Sequence, residues 1–184
     1  GDEGVEVWVR SCDIRDAEGV NTAVRDLVAD LGRLDIVVNN AAGNFPAFLK
    51  DIAGNGFKSV VDIDLLGTYN VSRAAYHAWL GEHGGNIINI TAPYANVGAA
   101  MQAHAAAAKA GVDSLTRSCA VEWGHHGVRV NAIAPGPIAN TEGVDRLAGA
   151  LRGEPDAPAP RPRNPICIVG HGFDIGYMIA FLCS

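Results

Sequence analysis

Four polar side chains suited to binding and proton-transfer chemistry occur within one short stretch of the chain. They are the hydroxyl of Thr91, the phenol of Tyr94, the imidazole of His104 and the amine of Lys109. Residues 87–91 form an apolar, β-branched run that predicts a buried strand, and the alanine-rich segment after it predicts the start of a helix. In an open parallel sheet, ligands bind just outside the carboxyl ends of the strands. The stretch is therefore expected to form half of an active site.

Three further predicted strand ends carry residues that suit a ligand. Asp13 follows a predicted first strand, the segment NNAAG at 39–43 follows a second, and Pro135-Gly136 ends the last. The small residues of NNAAG would let a flat ligand approach the backbone closely. Asn and Gly also favour turns, so a tight strand exit is the alternative explanation. Agreement among four strand ends favours the ligand site.

The elements that must position these residues follow an alternating order. Strands alternate with helices along the chain, which predicts a Rossmann-like, doubly wound parallel sheet with helices on both faces, in one domain spanning residues 1–184. A proline-rich segment at 149–165 predicts a mobile surface loop. In chain order we predict strand Val5–Val9, helix Asp16–Gly32, strand Leu34–Asn39, loop Asn40–Asn55, helix Phe57–Leu80, strand Ile87–Thr91, helix Ala100–Trp123, strand Val128–Ala134 and helix Phe173–Cys183.

Composition narrows the class of function. The 184 residues carry a net charge of −6, which argues against a nucleic-acid partner because phosphate contacts need clustered Lys and Arg. The four cysteines and six histidines show no metal-ligand spacing, and the cysteines form no disulfide framework. The chain has no apolar run long enough to predict a membrane span. An enzyme of a reducing compartment, without a metal, is expected.

These motifs resemble those of the short-chain dehydrogenase/reductase family. NNAAG at 39–43 is similar to the family's NNAG motif, PGPI at 135–138 is similar to its nicotinamide-side motif, and KAGVDSLTRSCAVEWGHHGVRVNAIAPGPI at 109–138 resembles the family throughout. The resemblance implies a dinucleotide cofactor. The residues implied to bind it are Asp13, Asn39, Asn40, Ala41, Gly43, Lys109, Pro135, Gly136 and Ile138.

Two alanines stand where that family keeps its usual acid system. Ala92 occupies the place of the catalytic Ser, and Ala105 occupies the place of the Tyr four residues before Lys109. Asp64 replaces the family's Asn on the preceding helix. Together with AAGNF at 41–45, these changes resemble the 2,4-dienoyl-CoA reductases, most closely the peroxisomal type.

The resemblance leaves two proton donors open. In the peroxisomal type an Asp and a Lys hold a water that donates the proton, which corresponds to Asp64 and Lys109. In the mitochondrial type a Tyr fifteen residues before the Lys donates it, which corresponds to Tyr94. Catalytic roles are thus implied for Asp64, Tyr94 and Lys109. The alternatives are a helix carboxylate in a structural bond for Asp64 and a loop aromatic that covers the pocket for Tyr94. For Lys109 the alternative is a solvated helix lysine, and for His104 it is a packed histidine.

The resemblance also implies a substrate, a cofactor and an assembly. It implies NADPH-dependent reduction of a 2,4-dienoyl-CoA to a 3-enoyl-CoA in a peroxisome or the mitochondrial matrix, by a homodimer or homotetramer that pairs through helices 57–80 and 101–123. The implied contacts to the fatty acyl-CoA are Asn44, Phe45, Thr91, His104 and Arg73. Another enoyl or ketone reductase, or an inactive truncated paralogue that serves as an oligomer partner, are the alternatives.

The family's glycine-rich TGxxxGxG turn, which holds the cofactor pyrophosphate, has no counterpart in these residues. The family's first βα units and its last strand also have none. We therefore expect these residues to belong to a longer polypeptide, and we expect the 184 residues alone to bind NADPH negligibly and to be inactive.

Overall fold

The computed structural model describes residue 4, residues 6–141 and residues 169–184. Within these ranges the chain forms a Rossmann-like α/β fold with a parallel sheet. The elements are helix α1 Ala17–Leu31, strand β1 Ile36–Asn39, helix α2 at 54–83, strand β2 Gly85–Ile90, helix α3 Ala103–Trp123, strand β3 Val128–Ile133 and helix α4 Gly172–Cys183. The predicted fold class is confirmed, and helix ends differ from the predicted ones by at most a few residues.

The sheet of the described residues has three parallel strands in the order β1-β2-β3. Asn39 of β1 lies opposite Asn89 of β2, and Ile90 of β2 lies opposite Ile133 of β3. The central strand contains Ile87 and Ile88, which are fully buried, as is typical of a parallel strand covered by protein on each side. The carboxyl ends of all three strands therefore meet at one edge.

Helix α1 shows why its limits are readable from sequence. The Asp16 carboxylate accepts a hydrogen bond from the Glu18 N–H at 3.1 Å and caps the first turn. Gly32 ends the helix with a φ of 70°, a left-handed conformation that favours glycine, and its N–H donates to the Val28 carbonyl.

Helix α2 contains two π-helical turns, at Asp62–Leu66 and Tyr76–Leu80, between α-helical segments Gly54–Val61, Gly67–Ala75 and Gly81–His83. Turns of this kind are rare and are frequent at functional sites. Gly111 of α3 allows α2 to pack closely, because a Cβ at Gly111 would lie 2.7 Å from Leu65 Cδ2. This close approach brings the first π turn of α2 against α3.

The predicted first strand, Val5–Val9, is wrong for the residues that are described. Residues 6–10 have no regular secondary structure, and Val7 and Val9 are 70% and 82% exposed. A strand requires a backbone partner, and these residues are held instead by side chains on α1. Trp8 Nε1 donates to the Asp30 carboxylate at 2.8 Å, and Arg10 pairs with Asp26. Apolar alternation alone therefore misidentified an extended segment as a strand.

Two other predictions concern the carboxyl-terminal part. The proline-rich segment 149–165 lies outside the described residues. Helix α4, predicted at Phe173–Cys183, is confirmed. An isolated β-bridge pairs Gly170, just before this helix, with Ile138 in the segment after β3. Among the helices of the described ranges, none has both the length and the apolar character needed to cross a membrane.

Candidate active site

Asp64 and Lys109 form a buried ion pair beside the carboxyl end of β2. Lys109 Nζ lies 3.4 Å from Asp64 Oδ2, and the two side chains are 7% and 2% exposed. Both charges are therefore removed from bulk water. Buried charges need such pairing, because an isolated ion in a protein interior is strongly unfavourable.

Backbone groups complete the coordination of this pair. The Gly43 N–H donates to Asp64 Oδ1 at 2.6 Å, and Lys109 Nζ donates to the Ile90 carbonyl at 2.8 Å. Thr91 Oγ1 donates to the Lys109 carbonyl at 3.3 Å. The loop after β1 thus binds Asp64, and the end of β2 binds Lys109. The ion pair therefore lies at the edge of the sheet where a ligand is predicted.

Burial shifts the pKa values of three side chains at the site. Burial raises the pKa of Asp64, although the charge of Lys109 and the Gly43 N–H partly oppose the rise. Burial and the negative charge of Asp64 raise the pKa of Tyr94. Burial lowers the pKa of His104, which favours the neutral imidazole. The two proton donors considered from sequence therefore lie in one electrostatic environment.

A hydrogen-bonded network of buried side chains fixes the strand ends beneath the pair. Asn39 Nδ2 donates to Ser72 Oγ at 2.9 Å and to Asn89 Oδ1 at 2.8 Å. Asn89 Nδ2 in turn donates to Thr116 Oγ1 at 2.8 Å. The network ties β1 and β2 to helices α2 and α3. Sequence reasoning missed Ser72, Asn89 and Thr116, because single polar residues on these elements carry no spacing signal.

The loop after β1 and the start of α3 form one wall of the site. Asn44 Nδ2 donates to Gln102 Oε1 at 2.5 Å, and the rings of Phe45 and His104 lie 4.4 Å apart between centroids. Asn44, Phe45 and His104 were predicted as substrate contacts, and the structure brings them together. Gln102 was missed, since nothing in the local pattern distinguishes it.

The remaining predicted site residues lie elsewhere or on the rim. The backbone segment at Asn40–Ala41 is exposed at the end of β1, and Pro135, Gly136 and Ile138 follow β3. Asp13 precedes α1 and pairs with Arg15, whose guanidinium lowers the pKa of Asp13 to about 2.

Arg73, a predicted substrate contact, lies apart from the Asp64 pair. It is exposed and lines a groove between α2 and α3, together with Tyr69, Tyr76 and Glu122. Lys50 and Lys58 pair with neighbouring carboxylates, Lys50 with Asp51 and Lys58 with Asp62. In the part of the chain that the structure describes, no cluster of His, Cys, Asp or Glu could hold a metal ion.

Comparison with known proteins identifies the family to which this chain belongs. A family model described as enoyl-(acyl carrier protein) reductase matches residues 2–184. The chain belongs to the short-chain dehydrogenase/reductase family. Members of known structure share its fold. Carveol dehydrogenase from Mycobacterium avium in complex with NAD has a TM-score of 0.85 and 32% identity, over 95% of this chain and 67% of that one. The citronellol catabolism dehydrogenase of Pseudomonas aeruginosa PAO1 has a TM-score of 0.81 and 34% identity, over 100% of this chain and 68% of that one.

Curated relatives carry more specific names. A peroxisomal 2,4-dienoyl-CoA reductase, described as (3E)-enoyl-CoA-producing, from Danio rerio is 42% identical over 94% of this chain and 56% of its own length. A probable 2,4-dienoyl-CoA reductase, described as (2E)-enoyl-CoA-producing, from Bacillus subtilis is 42% identical over 94% of this chain and 67% of its own length. The chain thus spans little more than half the length of the first of these relatives. The resemblance to 2,4-dienoyl-CoA reductases that the sequence predicts is confirmed by these identities of 42%.

Proposed function

We propose that the whole protein reduces a 2,4-dienoyl-CoA to a 3-enoyl-CoA with NADPH. The observation that carries the proposal is the buried Asp64–Lys109 pair beside two alanines, Ala92 and Ala105, which are both buried. A ketone reductase must protonate an oxygen next to the carbon that accepts the hydride, and neither alanine can do so. The names of the curated relatives support the same substrate class.

The chemistry of a conjugated thioester explains the displaced acid. NADPH supplies the hydride. Addition at the far end of the diene sends negative charge into an extended dienolate that ends on the thioester oxygen. The proton then goes to a carbon rather than to this oxygen, so its donor must lie away from the position of a ketone reductase's Tyr. Donors directed at the thioester oxygen must stabilise its developing charge.

Asp64 and Lys109 are the proposed proton-delivering unit, acting through a water. Their 3.4 Å contact and the raised pKa of Asp64 suit a carboxyl group that takes up a proton and passes it on through a bound water. Tyr94 is the alternative donor, and its pKa is raised by burial and, to a smaller extent, by the negative charge of Asp64. Lys109 Nζ uses one hydrogen on the Ile90 carbonyl and faces Asp64 with a second, which leaves a third for the cofactor ribose.

The described residues fit the nicotinamide half of NADPH. The exposed backbone at 40–41 and the open space around Gly136 flank the buried pair at the sheet edge, where a flat ring could approach. We assign cofactor contacts to Asp13, Asn39, Asn40, Ala41, Gly43, Lys109, Pro135, Gly136 and Ile138. Substrate contacts are assigned to Asn44, Phe45, Thr91, His104 and Arg73.

The proposal extends to an assembly and a location. Helices 57–80 and 101–123 present Tyr69 and Trp123 along the groove between them, which supports pairing of copies as a homodimer or homotetramer. Peroxisomal names among the relatives support a peroxisomal location over a mitochondrial one. We treat residues 1–184 as part of one domain.

Turnover of a 2,4-dienoyl-CoA by the full-length protein, followed by the loss of NADPH absorbance, tests the proposal. The variant Asp64→Asn should slow kcat by about 100-fold or more, the range for general acids, and Tyr94→Phe by only a few fold. The half-buried neighbour Asp62, which pairs with Lys58, offers a matched control, because Asp62→Asn should leave kcat unchanged. The reverse order would assign the proton to Tyr94. If neither variant slows turnover, the mechanism is wrong.

Product analysis distinguishes the two products that the names of the relatives give, a 3-enoyl-CoA and a 2-enoyl-CoA. NMR of the product distinguishes a 3-enoyl-CoA from a 2-enoyl-CoA. We expect the 3-enoyl isomer, since the proton donor lies away from the position where a ketone reductase keeps its acid. A 2-enoyl product would move the point of protonation and overturn this part of the proposal.

A further inference from the structure

Gln102, the chain's only glutamine, lies at the wall of the candidate active site with half of its amide unpaired. Gln102 is 2% exposed, and its Oε1 accepts a hydrogen bond from Asn44 Nδ2 at 2.5 Å. Among the described residues, Gln102 Nε2 has no hydrogen-bond partner although it is buried. A buried donor without a partner is unfavourable, so such groups are uncommon unless a ligand uses them.

The backbone holds this side chain in one place. Met101, the residue before it, has a φ of 62°, which is rare for a residue other than glycine. The Met101 carbonyl accepts from the Ala47 N–H at 3.1 Å. Together with the Asn44–Gln102 bond, this contact joins the loop after β1 to the start of α3. A strained backbone held by its surroundings is frequent where a binding group must be positioned.

The Gln102 amide and the proposed proton donor are bound by the same loop. Two consecutive residues of one loop bind the two groups, because the Gly43 N–H contacts the Asp64 carboxylate and the Asn44 side chain contacts Gln102. His104, two residues after Gln102, has no hydrogen-bond partner for either ring nitrogen within the described ranges. Unpaired polar atoms are thus concentrated on the wall beside the Asp64–Lys109 pair.

We propose that Gln102 binds the thioester carbonyl oxygen of the acyl substrate. Its Nε2 donates a hydrogen bond to that oxygen, while its Oε1 holds Asn44 in position beside it. The inference rests on the proposed function, in which this oxygen gains negative charge during reduction. A buried amide donor that is already oriented stabilises such a charge without reorganising. Gln102 forms and breaks no covalent bond in this role.

Two substitutions in the full-length protein distinguish the role of the Gln102 amide nitrogen from that of its oxygen. Gln102→Glu keeps an oxygen that accepts from Asn44 but removes the donor, and Gln102→Met removes both. We expect kcat for a 2,4-dienoyl-CoA to fall by about 100-fold in each, the usual effect of removing one oxyanion donor. The dissociation constant for NADPH should not change. Asn96→Asp, at an exposed amide between β2 and α3, is the matched control and should behave as wild type.

A pair of ligands tests whether Gln102 contacts the carbonyl oxygen. A saturated acyl-CoA thioester and the alkyl-CoA thioether of equal chain length differ in that oxygen. Wild type should prefer the thioester by roughly fivefold to tenfold, the value of one hydrogen bond, and both Gln102 variants should lose the preference. Equal loss of affinity for both ligands, or a wild-type rate for Gln102→Glu, would show that Gln102 only holds the wall and would overturn the inference.

Failure of the proposed function has a different signature. A wild-type protein that does not reduce dienoyl-CoA refutes the function, whereas the ligand comparison still reports whether Gln102 contacts a carbonyl oxygen. A wild-type protein that reduces dienoyl-CoA while the Gln102 variants keep its rate and its ligand preference refutes only the role of Gln102.

Discussion

The buried pair of Lys109 and Asp64 leads to a quantitative prediction about stability. At 3.4 Å and an effective dielectric constant of about 20, two unit charges attract by about 5 kcal/mol. Desolvation of both ions offsets much of this attraction, in agreement with the raised pKa of Asp64. Removing one partner alone leaves the other charge buried, and such changes cost about 3–5 kcal/mol.

A double-mutant cycle in the full-length protein measures the interaction. Asp64→Asn retains an oxygen for the Gly43 N–H, and Lys109→Met keeps the length of an apolar stem. Lys109→Met should lower the free energy of unfolding in urea by about 3–4 kcal/mol, because it leaves the Asp64 charge buried without a partner. Asp64→Asn should lower it by much less, because burial already raises the pKa of Asp64 and disfavours its charged form. The double variant buries no charge, so it should lose about as much as Asp64→Asn alone. The resulting coupling energy is about 3 kcal/mol.

The pair of Lys58 and Asp62 on the same helix is a matched control. Its side chains are 73% and 24% exposed, and they are spaced one helical turn apart. Lys58→Met and Asp62→Asn should therefore show a coupling energy of only about 0.3–0.5 kcal/mol. If the Lys109–Asp64 coupling is no larger than this, then water screens the pair and the reasoning from its burial is refuted.

Two further predictions concern the same carboxylate. Gly43→Ala should leave kcat/KM close to that of wild type and of Gly98→Ala. The added Cβ at position 43 would lie 2.8 Å from Ile63 Cδ1, the end of a side chain that can rotate, and the N–H that binds Asp64 is retained; a large loss in Gly43→Ala alone would contradict this. Burial raises the pKa of Asp64 above 3.8, so the folded state keeps its proton after the unfolded state has lost it. The free energy of unfolding of wild type, relative to Asp64→Asn, should therefore fall as pH rises from about 4 through the folded pKa, and a flat or rising difference in urea titrations would refute the assignment.

Local signals in the sequence predict most elements of the fold. Asp16 and Gly32 mark the ends of α1 because capping depends on a few neighbouring residues. The buried strand β2 is readable because Ile87, Ile88 and Ile90 give it the apolar, β-branched character of a parallel strand covered on both faces. The segment at 6–10 misled the same reasoning, because alternation describes side chains and says nothing of whether a partner strand is present.

The candidate site divides in a similar way. The identities of Ala92, Ala105 and Lys109 already exclude a ketone reductase's acid system and retain its lysine, because these positions lie at fixed spacings on one strand and one helix. That inference applies the resemblance to the short-chain dehydrogenase/reductase family to the order of residues along the chain.

Contacts between distant parts of the chain depended on tertiary structure. Asp64 reaches Lys109 because a π turn in α2 packs closely at Gly111 of α3, and Gln102 meets Asn44 across 58 residues through the strained backbone at Met101. Neither contact has a local signature, since helix packing and loop closure bring together residues that no periodicity relates. The order of residues therefore determined the elements and the missing acid, and only the packing of helices and loops decided which polar groups face one another.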